Sequence, residues 1–79
     1  MPVNAVRSAL ERLGTQYRAV RSVEVHHDDG TVKIRGTVPT YHIKQLIGHE
    51  AGKAAAGRAI VCTRNVEVEV PRRFHNPDL

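Results

Sequence analysis

Val6, Ala9, Leu10 and Leu13 recur at the i, i+3, i+4, i+7 spacing of one helical face, with Arg7, Glu11 and Arg12 turned away from it. The pattern predicts an amphipathic helix, capped by Asn4 and stopped by Gly14. A linker from Thr15 to Val20 follows, and then the period shortens to two. Val23 and Val25 alternate with Ser22, Glu24 and His26. Val32, Ile34 and Val38 alternate with Thr31, Lys33, Arg35 and Thr37. These are two half-buried strands, and Asp28-Asp29-Gly30 between them predicts a hairpin turn. Gly36 falls on the inward phase of the second strand, which implies a bulge or the close approach of a helix.

Pro39 ends that strand, and Thr40 is placed to cap a second helix on Ile43, Leu46, Ile47, Ala51, Ala54 and Ala55. Gly48 and Gly52 lie inside it at a cost of ~1 kcal/mol each relative to alanine. They are expected to face a closely packed neighbour, and Gly57 is expected to terminate the helix. A third strand sets Ile60, Cys62, Val66, Val68 and Val70 inward, alternating with Thr63, Glu67 and Glu69. Arg64 lands on the inward phase, which predicts a bulge nearby. Cys62, in phase with Ile60, is expected to be buried and inert. The order αββαβ predicts an α+β fold, a two-layer sandwich with a three-stranded mixed sheet and both helices on one face. Residues 1–71 form this domain and 72–79 a loose C-terminal tail.

Composition adds limits. Seventy-nine residues suit one domain with one core, and a lone cysteine offers no internal disulfide. Met1-Pro2-Val3-Asn4 leads into a charged helix without the apolar stretch of an export signal, and no run is long enough for a transmembrane segment. These features predict a cytoplasmic protein, peripheral at a membrane where it meets one, and periplasmic only as a fragment of a longer chain.

Gly30-x-Val32-x-Ile34-x-Gly36-x-Val38, after a strand with Val23-x-Val25 and before a helix, resembles the BON domain. So do Gly57 and the strand ending Val66-x-Val68. Tyr17-Arg18-Ala19-Val20-Arg21 and Val38-Pro39-Thr40-Tyr41-His42-Ile43-Lys44-Gln45 look like a bacterial subgroup of it. The likeness runs from about Leu10 to Val70. It implies a bacterial, non-enzymatic module that attaches proteins to phospholipid membranes or to other envelope components.

Catalytic chemistry finds no foothold in the residues. Gly48-His49-Glu50-Ala51-Gly52-Lys53-Ala54 misses the spacing of a phosphate loop and lacks its magnesium-binding hydroxyl. Ser8 and Ser22 are the only serines, and neither joins a histidine and an acid. Five histidines invite a metal reading. However, His26 and His27 diverge as strand neighbours, and His42 and His49 stand about 10 Å apart along a helix. No catalytic residue, metal site or cofactor is expected. Tyr17, Tyr41 and Phe74 are the only aromatics and none lies in a strand, so nothing reads nucleic acid by base stacking.

Twelve Lys and Arg against eight Asp and Glu give a net charge of +4, a bias toward anionic partners. Strand direction locates that bias. The end of strand 2 lies beside the start of strand 1, and strand 3 runs parallel to strand 2 and finishes at the same pole. That pole gathers Arg18 and Arg21, Tyr41 and Lys44 at the start of the second helix, and Arg72 and Arg73 after the third strand. The expected partner is an anionic lipid surface or an acidic protein patch. The alternative is docking or weak self-association through a sheet edge.

Overall fold

The structure, a computed structural model, describes residues 2–69. Helix α1 spans Pro2–Gly14. Its start differs from the expected Asn4 cap, because Pro2 already opens the helix. Proline suits a first turn, where its missing N–H would have had no partner. The expected linker instead contains a 3-10 helix, Arg18–Ser22, anchored by buried Val20. Five residues with one buried valine carry no period, so periodicity passes over this element.

Strands β1 (Glu24–Asp28) and β2 (Thr31–Val38) form an antiparallel hairpin. Asp29 and Gly30 connect them with φ of 55° and 83°. Two positive values mark the turn whose twist matches that of paired strands. Helix α2, Tyr41–Ala55, returns the chain to β3, Ile60–Val68, which lies parallel to β2 in the sheet order β1-β2-β3. The Thr40 hydroxyl caps α2 by accepting from the Ile43 N–H at 3.2 Å. The helix closes at Ala56, in the left-handed region at φ 53°, one residue before the expected stop at Gly57.

The fold is α+β, two helices and a three-stranded mixed sheet, in the expected order. Val6 and Leu10 of α1, Ile47 and Ala51 of α2, and Val32, Ile34, Val38 and Val66 of the sheet share one buried cluster. The helices touch each other, while α1 also meets β1 and α2 meets β2 and β3. Glu24, Lys33, Arg35 and Glu67 are exposed on the strands. Arg35 pairs with Glu24 at 3.3 Å and Lys33 with Asp28 at 3.4 Å. Exposed pairs of this kind hold orientation more than they add stability.

The predicted bulge lies in β3. Lys33 pairs with Cys62 and Arg35 with Asn65, so Thr63 and Arg64 together oppose Ile34. The extra residue inverts the phase of the strand. Beyond it Val66 and Val68 point inward, opposite Gly36 and Val38. Before it Val61 takes the inward place beside Val32, and Ile60 and Cys62 fall with Thr31 and Lys33 on the other face. Ile60 is accordingly 70% exposed, and Cys62, in phase with it, is half-buried and not enclosed as expected.

Two glycine expectations also change. Gly36 is crowded, but by Val23 just before β1 and not by a helix. Gly48 has room for an ordinary contact with Thr63, and Gly52 faces open space, so neither meets a tightly packed neighbour.

Candidate functional site

The register fixes which ends of the strands lie together. Glu24 opposes Arg35 late in β2, and Val38 opposes Val68 late in β3. The start of β1 and the ends of β2 and β3 therefore share one end of the sheet. The 3-10 helix leads into this end, packed on α1 and β2, and α2 departs from it. Arg18 and Arg21 come with the first segment, and Tyr41 and Lys44 with the second. Arg72 and Arg73 lie outside the described residues.

The side chains are not equivalent. Arg18 is exposed, Tyr41 is 62% exposed and Lys44 is half-buried in the first turn of α2. Tyr17, at the same end, packs against the core. The Arg21 Nε donates to the Gly14 carbonyl at 2.9 Å, satisfying a C-terminal acceptor of α1 that its helix cannot. Arg21 thus has a structural duty beside any contribution of charge. Among the described residues no carboxylate forms an ion pair with Arg18, Arg21 or Lys44.

A second feature escapes sequence reasoning. A groove of about 430 Å³ runs between α1 and the β1 side of the sheet. Leu10, Val20, Val23 and Val25 make its apolar floor, and Arg7, Glu11 and Arg21 its rim. Arg7 leans across it, donating from Nη2 to the Val25 carbonyl at 3.1 Å. The groove draws on three elements, one of which is the 3-10 helix without a periodic signature. Arg7 and Glu11 read in sequence only as the solvated side of α1.

On the exposed strand face, Ser22, Glu24, Arg35, Gly36, Thr37, Asn65 and Glu67 line a polar depression of about 280 Å³. Hydrogen bonding from His26, at 3.1 Å, and then from Arg35 holds the Glu24 carboxyl below the usual carboxylate range. An ionised, partnered carboxylate suits ion pairing and not proton transfer. His26 and His27 occupy opposite faces of β1. Among the described residues no three His, Cys, Asp or Glu side chains converge as a metal site would require. No described helix is long and apolar enough to cross a membrane. Compared with protein-family models, curated proteins and solved structures, this chain finds no match in any of the three.

Proposed function

We propose that this chain is a non-enzymatic binding module whose basic end meets anionic phospholipid headgroups, the role that its resemblance to the BON domain implies. The supporting observation is the strand arrangement. An antiparallel β1–β2 pair and a parallel β2–β3 pair bring Arg18 and Arg21 to the end where Tyr41 and Lys44 begin α2. Arg72 and Arg73 follow β3 in sequence and complete the basic set. Cations near an anionic bilayer contribute ~1 kcal/mol each, enough together for weak, reversible attachment. Exposed Tyr41, with an apolar ring and a polar hydroxyl, suits the headgroup boundary.

Vesicle co-sedimentation tests the reading with wild type and a variant carrying Arg18→Gln, Lys44→Gln, Arg72→Gln and Arg73→Gln. Arg21 is retained because it caps α1. Wild type is expected to pellet with phosphatidylserine vesicles, to release as salt rises, and to ignore phosphatidylcholine vesicles. The variant stays in the supernatant. Wild type that ignores phosphatidylserine at low salt removes the headgroup reading and leaves an acidic protein patch as the partner for this end.

A further inference from the structure

We propose that the groove between α1 and β1 receives an extended peptide segment from a partner protein, added as a new strand along β1. The segment has an apolar residue with an acidic residue two places away on each side. The site meets the basic end only at Arg21, on the groove rim, and Arg7, Leu10 and Val25 are not part of that end.

The backbone supplies the first argument. A two-residue turn makes Asp28 and Thr31 a hydrogen-bonded pair, so His26 pairs with Lys33 and Glu24 with Arg35 in the same manner. Val25 and His27 alternate with these, and their N–H and C=O groups point away from β2. Among the described residues no strand lies on that side, where β1 is an edge of the sheet. Arg7 covers the Val25 carbonyl. A peptide N–H can take over that acceptor, which releases the Arg7 guanidinium to a carboxylate of the incoming chain.

The groove supplies the second argument, through side-chain parity. A strand added to β1 sends alternate residues to the α1 side, where Leu10, Val20, Val23 and Val25 form the floor. An apolar residue there covers this floor. The flanking residues on that side meet a rim of two arginines and one glutamate, net positive, which favours acid. The intervening residues turn to the other face, beside Glu24, His26 and Asp28, where the nearby cations Arg35 and Lys33 are already paired with carboxylates and leave little to attract another acid. Charge and parity together therefore specify acid–neutral–apolar–neutral–acid, and not merely an acidic peptide.

Fluorescence anisotropy on the full chain tests this with a labelled peptide centred on Glu-Thr-Leu-Thr-Glu. Wild type binds it, affinity falls with salt, and the amide resonances of Val25 and His27 shift. Moving the acids one place, to Thr-Glu-Leu-Glu-Thr, weakens binding by roughly tenfold, as does N-methylation of the amides that face β1. The exposed change Arg7→Gln weakens it by roughly fivefold. The last two probes separate charge from ladder formation, and the peptide variants leave the protein's own folding untouched. Absence of binding, equal binding of the shifted or N-methylated peptide, or resonance shifts confined to other surfaces would overturn the proposal. So would concentration-dependent shifts of Val25 and His27 without peptide, which assign the edge to a second copy of this chain.

Discussion

A Cβ atom at Gly36 would stand 3.0 Å from both the Cα and the Cγ1 of Val23. The backbone at Gly36 has turned to φ 152°, a region that side chains rarely enter, so the residue ahead of β1 can lie over β2. By strand propensity Gly36→Val would be an improvement. Here it is expected to cost about 1–3 kcal/mol, from overpacking against Val23 and an unfavourable backbone angle. Chemical denaturation reads the change, and an unaltered midpoint would show that Val23 moves aside freely.

Glycine and alanine stand in each other's places at the end of α2. Gly52 has helical backbone with nothing within 4 Å of a Cβ position, whereas Ala56 carries the left-handed cap at φ 53°. Gly52→Ala and Ala56→Gly should each raise stability by about 0.5–1 kcal/mol, the first through helix propensity and the second by relieving the cap. The double variant should approach their sum. A lower melting midpoint for either single change contradicts the assignment of the helix end.

Half-buried Cys62 of β3 lies on the outward face of the sheet beside its register partner, Lys33 of β2. A thiol reagent is expected to label it in the native protein, at a rate that low, non-denaturing urea leaves unchanged. Rates that climb with urea would mean that labelling waits for unfolding and that the thiol is enclosed. Cys62→Ser should cost less than about 1 kcal/mol, in line with an outward position.

Glu24 has its carboxyl held below the ordinary range, first by His26 and then by Arg35. A depressed folded-state value means that its contribution is present above the unfolded carboxylate pKa and is lost as pH falls through the folded one. Melting curves of wild type and Glu24→Gln should differ slightly near neutrality and converge in acid. Added salt should narrow the neutral-pH difference, because the groups are exposed. A gap that widens in acid would reverse the assigned sign.

Removal of the Thr40 hydroxyl leaves the Ile43 N–H without its acceptor. Thr40→Ala is expected to cost about 1 kcal/mol, and Thr40→Ser to retain most of the stability. Equal midpoints for the two variants would deny the cap its role.

The element order was legible because α1, β2 and α2 bury residues at strict helical or alternating periods, such as Val6 with Leu10 and Val32 with Ile34. The basic end was legible as a consequence of strand direction, since the positions of Arg18 and Lys44 follow from topology. Other features depended on events without a period. The inserted residue in β3 reversed the facing of Cys62, although Arg64 had betrayed the insertion. The groove needed the 3-10 helix to bring Val20 beside Leu10, and the second duty of Arg21 depended on where Gly14 ended α1. Neither contact is encoded in local spacing.

The insertion in β3 makes that strand a splice between two reading frames. Val66 and Val68 are written in the frame of the core, and Ile60 and Cys62 in the frame of the surface. Deletion of Arg64 would merge the frames while the chain kept its topology. With Val66 held in place, Thr63 alone would oppose Ile34, while Ile60 and Cys62 kept their outward facing and Val61 its inward one. The inserted residue, itself exposed, thus lets even-numbered positions serve the core after it and the surface before it.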